Sequence, residues 1–253
     1  MNAVQLRQHL ESLAAAGVMD VPRGRSDAVG PMVASQAAAS RGVGAASPRQ
    51  AGEAPLSHEP GRSGQADVQA GLNVLRGEVA ACSRCGELAE TRNQTVFGAG
   101  SPTAKICFLG EAPGADEDAT GEPFVGKAGQ LLTKIIEACH LTRNEVYILN
   151  VLKCRPPGNR RPLPDEVTSC RPFFERQLEL VSPEVICCLG ATAAQALLGS
   201  AESIGKLRGH WFRYRDASVI CTYHPSYLLR NPAAKRDVWD DMKVMMRHFG
   251  VQL

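Results

Sequence analysis

The chain has 253 residues, of which 44% are hydrophobic, with 28 Lys and Arg against 26 Asp and Glu. This composition supports one globular core with an additional segment, and a net charge of +2 does not by itself indicate nucleic-acid binding. No run of about eighteen apolar residues occurs, so the sequence predicts no membrane-spanning helix and no membrane partner.

The first 66 residues differ in composition from the rest. Residues 1–22 have apolar side chains at helical spacing, which predicts a short N-terminal helix that either docks on a protein partner or has no function of its own. Residues 23–66 are rich in Ala, Gly, Ser and Pro and carry almost no large apolar side chain. Such a segment cannot bury enough area to offset the entropy of ordering, so we expect a disordered linker followed by a folded domain over residues 67–253.

Beyond the linker, predicted helices alternate with short apolar runs typical of buried strands. The predicted helices are residues 74–81, 127–140, 166–180 and 191–198. The predicted strands are residues 106–109, 146–150, 185–189 and a run that begins at Ile220. About four such alternations indicate an α/β fold with a parallel sheet.

Polar segments follow three of these strands. Gly110 and Gly114 enclose a tight turn after the first strand, followed by acidic residues as far as Asp118, and they allow the backbone to approach a bound group closely. Asn150 ends another strand and His224 follows the last one. Ligands of open α/β sheets bind at the carboxyl ends of strands, so these segments predict one shared pocket. Taken singly, each is equally typical of a turn with solvated side chains.

Four of the nine cysteines have the spacing of metal ligands. Cys82 and Cys85 form a C-x-x-C pair, and fifteen residues separate Cys154 from Cys170. An odd count and the lack of a signal peptide disfavour a disulfide framework. The spacing fits both zinc and an iron–sulfur cluster, and the Arg and Pro neighbours of the second pair tilt the choice toward a cluster. Four others, in apolar runs, are predicted to be small buried hydrophobes: Cys107, Cys187, Cys188 and Cys221.

Four segments together resemble the family 4 uracil-DNA glycosylases. They are GEAPG at 110–114, GEPFVGKAG at 121–129, NVLKCRPP at 150–157 with Asn159 and Arg160, and HPSYLLR at 224–230. The resemblance covers residues 72–253 in unbroken order. It implies a three-layer α/β/α sandwich around a short, mainly parallel central sheet, and a [4Fe-4S] cluster on Cys82, Cys85, Cys154 and Cys170. It also implies base excision repair, in which the enzyme flips uracil out of DNA and hydrolyses its N-glycosidic bond, leaving an abasic site.

The resemblance assigns roles in the base pocket. Phe124 is expected to stack on the uracil, and the Asn150 amide to pair with N3–H and O4, which rejects cytosine because cytosine presents the reverse pattern. His224 is expected to donate to O2 of the leaving anion. Glu111 is expected to orient the attacking water, with Glu117 as the second candidate. The backbone at Gly110, Ala112 and Gly114 completes the predicted base site.

The resemblance also predicts the DNA contacts. Leu228 is expected to be the wedge that replaces the flipped base, with Arg230 on a phosphate. Arg155 and Arg160 are expected to contact DNA from a basic group that includes Lys153 and Arg161. A second basic group comprises Lys206, Arg208, His210, Arg213 and Arg215. We expect a monomer acting on single- or double-stranded uracil-containing DNA in the nucleoid of a prokaryotic cytoplasm.

Three other interpretations are compatible with parts of the pattern. One is a non-catalytic iron–sulfur module that binds nucleic acid and is associated with replication. Another is a related branch that binds uracil-DNA covalently through a histidine in an inserted loop, but no histidine lies between Cys154 and Cys170. The third is a zinc-stabilised nucleotide hydrolase that uses the acidic residues of 111–118.

Overall fold

The structure, a computed structural model, describes residues 62–253. The predicted N-terminal helix at 1–22 and most of the predicted linker at 23–66 lie outside the described residues. The first helix described, α1, spans Arg62–Ala80 rather than beginning at Val74. Residues 62–66, which the composition assigned to the linker, therefore belong to this helix.

A six-stranded sheet with the order β1-β3-β2-β4-β6-β5 forms the centre of the domain. Its strands are β1 (Ala99–Gly100), β2 (Ile106–Gly110), β3 (Tyr147–Asn150), β4 (Val185–Leu189), β5 (Trp211–Tyr214) and β6 (Ala217–Thr222). The four central strands are parallel, and β1 and β5 are antiparallel edge strands. In this register Gly110 pairs with Asn150 and Leu189 with Thr222, so the central strands end level with one another.

Helices cover both faces of the sheet, which confirms the predicted three-layer α/β/α sandwich. The remaining helices are α2 (Gly86–Thr91), α3 (Ala115–Thr120), α4 (Lys127–Ala138), α5 (Pro164–Val181), α6 (Ala191–Leu198), α7 (Ile204–Leu207), α8 (Pro225–Arg230) and α9 (Lys235–His248), with short 3₁₀ turns at Pro157–Asn159 and Pro232–Ala234. Apolar side chains of α1, α2, α5, α6 and α7 form one core layer, and those of α4, α8 and α9 form the other. In the residues that the structure describes, no helix is long and apolar enough to cross a membrane.

Side chains of the central strands alternate between the two layers, as strand geometry requires. Leu109 of β2 packs into the first layer and Phe108 into the second, and both are fully buried. The four cysteines predicted to be small hydrophobes are all buried in strands, which confirms that prediction: Cys107, Cys187, Cys188 and Cys221. Burial raises the pKa of the Cys107 thiol far above its usual range, so this side chain stays a neutral core group.

Two functional segments predicted as loops are helical. The acidic run after Gly114 forms α3, because Glu117 accepts a hydrogen bond from the Gly114 N–H and caps the helix start. The segment after His224 forms α8, with Pro225 at its first position, where the lack of an N–H costs nothing. Edge strand β5 was not predicted either, because it alternates between half-buried and exposed side chains and lacks the continuous apolar run of a central strand.

Candidate active site and four-cysteine site

A cleft of about 410 Å³ lies at the carboxyl ends of β2, β3 and β6. Nine of the residues predicted for the site line it: Glu111, Ala112, Gly114, Glu117, Phe124, Asn150, Arg160, His224 and Arg230. Three predicted residues do not line it: Gly110, Arg155 and Leu228. The parallel sheet therefore brings together groups that are more than a hundred residues apart in the chain.

Gly110 allows two side chains to converge at the floor of the cleft. A Cβ placed on Gly110 would lie 2.3 Å from Asn150 Oδ1 and 2.5 Å from Phe124 Cζ, distances that no real side chain tolerates. Phe124 itself has a positive φ of 55°, and its carbonyl lies so close to Gly129 of α4 that a Cβ there would be 1.9 Å away. Arg143, which sequence analysis did not identify, donates to the carbonyls of Pro123 and Phe124 and holds this turn.

The Asn150 side chain is 2% exposed, and its Oδ1 atom accepts no hydrogen bond from any described residue. A buried acceptor without a partner costs about 1–3 kcal/mol, so such an atom is retained where a ligand supplies the missing donor. Asn150 ends β3 at the floor of the cleft, directly beside Phe124. The site is therefore built to receive an N–H group next to an aromatic ring.

His224 is held in a defined tautomer. Its Nδ1 atom accepts a hydrogen bond of 3.1 Å from the backbone N–H of Ser226 and lies 2.8 Å from Ser226 Oγ. Because a backbone N–H only donates, Nδ1 carries no proton and the neutral ring keeps its hydrogen on Nε2. Burial, with a further contribution from the Arg230 guanidinium, lowers the pKa of His224 to about 4. The ring, whose centroid lies 5.6 Å from that of Phe124, is thus a neutral donor at neutral pH.

The two predicted acidic residues have different surroundings. Glu111 faces the cleft, and its Oε2 atom accepts a hydrogen bond from Thr192 Oγ1 in the first turn of α6. Thr192 was not predicted, because only the sheet brings the segment after β4 beside the segment after β2. Glu117 uses both carboxylate oxygens on backbone N–H groups, those of Gly114, Val125 and Gly126. This arrangement favours Glu111 as the acid that orients a water.

The structure contradicts the prediction that Leu228 is the exposed wedge. Leu228 is 1% exposed and packs in the core layer of α4 and α9. In α8, Ser226 and Arg230 line the cleft, and Leu228 lies on the opposite side of the helix because residues two apart are about 200° apart. Two neighbours in α8 are exposed instead: Tyr227 at 38% and Leu229 at 46%.

The predicted DNA-binding arginines differ in how their charge is compensated. Arg160 donates to Glu166 at 2.6 and 3.0 Å and to Glu87 at 2.7 Å, so carboxylates already neutralise it. Arg155 is half-buried, with its Nε bonded to the Asn159 side chain. Arg230 is exposed at the mouth of the cleft. Among the described residues, Arg160 is thus the one of these three arginines that is bonded to carboxylates.

Lys153 does not belong to a basic surface, contrary to the prediction. Its side chain is 1% exposed, and Nζ donates to the backbone carbonyls of Asn150 at 2.8 Å and Phe97 at 3.2 Å. Burial lowers the pKa of Lys153 to about 8. Ion pairs also reduce the free charge of the second predicted basic group, joining Lys206 to Glu202, Arg208 to Asp241 and Arg215 to Glu179.

The four cysteines with ligand spacing line one small cavity beside α1, α2 and α5. They are Cys82, Cys85, Cys154 and Cys170, and all four are free thiols. Four apolar residues, three basic residues and one serine complete the lining: Val79, Leu88, Leu152, Phe173, Arg84, Arg92, Lys153 and Ser169. Burial raises the pKa of Cys170 to about 11. Arg92 Nη1 donates to Cys154 Sγ at 3.1 Å and the Lys153 backbone N–H to Cys170 Sγ at 3.3 Å. In the described part of the chain, no three His, Cys, Asp or Glu side chains are arranged to hold a single metal ion.

Fold and site together define an α/β protein with a cleft for a planar, hydrogen-bonding ligand beside a four-thiol cavity. A family model described as the uracil DNA glycosylase superfamily matches residues 97–243. A type-4 uracil-DNA glycosylase of Archaeoglobus fulgidus is 42% identical over 180 residues, covering 68% of this chain and 90% of that protein. A type-4 uracil-DNA glycosylase of Thermotoga maritima is 43% identical over 176 residues, covering 68% and 91%.

A more distant relative belongs to another branch: a type-5 uracil-DNA glycosylase of Thermus thermophilus is 35% identical over 152 residues, covering 52% of this chain and 68% of that protein. The chain belongs to the uracil DNA glycosylase superfamily, and within it to the type-4 uracil-DNA glycosylases. The resemblance found in the sequence motifs is thereby confirmed.

Proposed function

We propose that this protein is a DNA repair glycosylase that excises uracil from DNA by hydrolysing its N-glycosidic bond. The observation that carries the proposal is the buried Oδ1 atom of Asn150, which has no hydrogen-bond partner among the described residues and shares one cleft with Phe124 and the neutral donor His224. Type-4 uracil-DNA glycosylases about 40% identical to the chain support it. A non-catalytic nucleic-acid-binding module would have no need for this convergence of groups.

Uracil recognition follows from the hydrogen-bonding pattern of the base. The free Oδ1 of Asn150 accepts from N3–H of uracil, and the amide N–H of the same side chain donates to O4. Cytosine offers an acceptor at N3 and a donor at C4, so both contacts would become unpaired polar groups in a buried site. Phe124 supplies the aromatic face on which the flipped base stacks.

Catalysis uses the donor and the acid that flank the base. Uracil leaves as an anion with charge on O2, and Nε2–H of His224 donates to that oxygen without a change in the ring's own charge. A preorganised donor of this kind typically contributes roughly 100- to 1000-fold to the rate. Glu111, oriented by Thr192, positions the attacking water and stabilises the positive charge that develops on the sugar.

The base must leave the stack before the glycosidic bond becomes accessible. We propose that Leu229, exposed on α8, enters the gap left by the uracil, and that Arg230 contacts an adjacent phosphate. Arg155 adds a second phosphate contact. The substrate is uracil-containing DNA, single- or double-stranded.

We further propose that Cys82, Cys85, Cys154 and Cys170 hold a [4Fe-4S] cluster. Four free thiols around one cavity, with N–H donors on two of the sulfurs, fit such a group. The cluster supplies a structural crosslink with no redox step in the reaction. The purified protein should be brown, and replacing Cys85 with Ser should bleach it, whereas a colourless protein with one zinc would contradict the assignment.

The protein works as a monomer in the cytoplasm of a prokaryote, on the DNA of the nucleoid. The helix predicted at residues 1–22 either docks on a protein partner or has no function of its own. Both statements extend the proposal beyond the catalytic domain, and a size-exclusion measurement of the full chain tests the first of them.

The function is tested by incubating the protein with a labelled uracil-containing oligonucleotide and then cleaving abasic sites with alkali. We expect cleavage at the uracil position and none in a matched thymine oligonucleotide. Binding of both oligonucleotides without cleavage would favour the nucleic-acid-binding module. A complex that survives denaturing electrophoresis would indicate the covalent branch instead.

A further inference from the structure

We propose that the four-cysteine site and the base pocket are energetically coupled, with Lys153 and Arg92 as the positioning residues that connect them. The inference rests on the proposed function, since it requires both a cluster and a uracil site. Each of the two residues donates a hydrogen bond to one cysteine sulfur. Lys153 itself, and Asn93 next to Arg92, then bond to segments that form the cleft. Neither Lys153 nor Arg92 has been assigned a catalytic role.

The first connection runs through Lys153 alone. Its backbone N–H donates to Cys170 Sγ, while its buried ammonium group donates at 2.8 Å to the carbonyl of Asn150. That carbonyl ends β3 and belongs to the residue whose side chain reads the base. A change in the position of the Cys170 sulfur therefore reaches the Asn150 backbone through one side chain.

The second connection runs from Cys154 to the glycine-rich turns. Arg92 donates to Cys154 Sγ and, at 2.8 Å, to the carbonyl of Cys82. The next residue, Asn93, donates its backbone and side-chain N–H groups to the Asp118 carboxylate, which is 1% exposed. Asp118 lies in α3, where the adjacent Glu117 binds three backbone N–H groups of the pocket walls.

Charge complementarity also supports Lys153 and Arg92 as the residues that connect the two sites. A [4Fe-4S] cluster in its 2+ state with four thiolate ligands carries a net charge of about −2. Lys153 and Arg92 provide two positive charges that donate hydrogen bonds beside it, one buried and one half-buried. A buried negative group needs such partners, so formation of the cluster orders the two side chains that also fix the pocket.

Coupling between two sites is reciprocal, so ligand in the base pocket must stabilise the cluster to the same degree that the cluster stabilises ligand binding. Free uracil is the probe, because a single base is too small to shield the cysteines from solvent. Loss of visible absorbance after addition of an iron chelator is the readout, and it does not depend on glycosylase activity. Cytosine at the same concentration is the control ligand.

We expect saturating uracil to slow the bleaching of the unmodified protein by roughly five-fold or more relative to cytosine. Lys153→Met, which keeps the side-chain length and removes the donors of the first connection, should reduce this protection. Asp118→Asn, which keeps the volume and weakens the second connection, should reduce it. Lys105→Met should leave it unchanged, because Lys105 is exposed and pairs with Glu184 at the opposite end of β2.

Equal bleaching rates in uracil and cytosine would overturn the coupling, provided that uracil inhibits excision as a product at the same concentration. Full protection in both Lys153→Met and Asp118→Asn would overturn the two connections. If Lys153→Met does not fold, the two single variants Asp118→Asn and Arg92→Met are compared instead. Full protection in both of them would overturn the connections. A protein without a visible chromophore would contradict the proposed cluster and the coupling with it. A protein that leaves uracil in the oligonucleotide would contradict the proposed function.

Discussion

At the scale of single residues, Asn150 and His224 make different contributions to the proposed reaction. The Asn150 amide pairs with the base both before and during bond cleavage, so it contributes to binding and to rate. The His224 donor acts mainly on charge that appears in the transition state, so it contributes to rate alone. The buried, unpartnered Oδ1 atom and the fixed tautomer are the structural signs of these two roles.

Replacing His224 with Ala should lower the single-turnover rate of uracil excision by roughly 100-fold or more while leaving affinity for uracil-containing DNA nearly unchanged. Asn150→Asp should lower uracil excision and narrow the discrimination against cytosine, because a protonated or reoriented carboxyl accepts from the cytosine amino group. Matched single-stranded oligonucleotides separate the chemical step from product release. Excision at the unmodified rate by both variants would refute the proposed pocket.

The pH dependence of excision follows from the lowered pKa of His224. Because the ring is neutral above about pH 4, the contribution of His224 to the rate should be constant from pH 5 to 8. Below that range Nδ1 becomes protonated and can no longer accept the hydrogen bond from the Ser226 N–H, so the rate should fall. A single-turnover profile that falls through pH 6.5, the usual pKa of histidine, would contradict this environment.

At the scale of elements, α8 decides which side chain can enter DNA. Helical rotation directs Ser226 and Arg230 to the cleft and Leu228 to the core, and it leaves Leu229 exposed. The order of residues in the motif cannot distinguish Leu228 from Leu229, since both are leucines next to one another. Only the packing of α8 against α4 and α9 separates a core residue from a wedge.

Leu229→Ala should reduce excision from double-stranded DNA by about ten-fold or more and affect single-stranded substrate much less, because only a duplex opposes flipping with full stacking and pairing. Leu228→Ala is the matched variant in the same helix. It should lower the free energy of unfolding by about 2–5 kcal/mol without a preference for either substrate. A duplex-specific defect in Leu228→Ala alone would restore Leu228 as the wedge.

At the scale of the whole molecule, the cleft and the four-cysteine cavity both lie in the described domain. Both are built from residues between Val79 and Arg230. Every residue given a role in the proposed reaction lies within this range. The first described helix begins at Arg62, which is the natural boundary for a truncation.

Removal of residues 1–61 should leave excision of uracil from short oligonucleotides within a few-fold of the full chain. The truncated protein should also keep its cluster absorbance and its cooperative thermal unfolding. A control truncation of residues 1–80, which removes α1 and the buried Leu72, Leu75 and Val79, should destabilise the domain. Loss of folding on removal of 1–61 would contradict the linker prediction.

The sequence by itself determined the class of fold, the residues at the strand ends and the four cysteines. Local structure follows from the spacing of apolar residues along the chain. The predicted bounds were correct for the strand Val185–Leu189 and the helix Ala191–Leu198. Contacts between distant segments were decided only by the tertiary structure. The tertiary structure placed Thr192 within hydrogen-bond distance of Glu111 and buried the Lys153 ammonium group against the Asn150 carbonyl. It also paired Arg160 with a carboxylate and directed Leu228 into the core. The physical reason is that burial and pairing depend on which elements the sheet brings together, and no local sequence pattern encodes that.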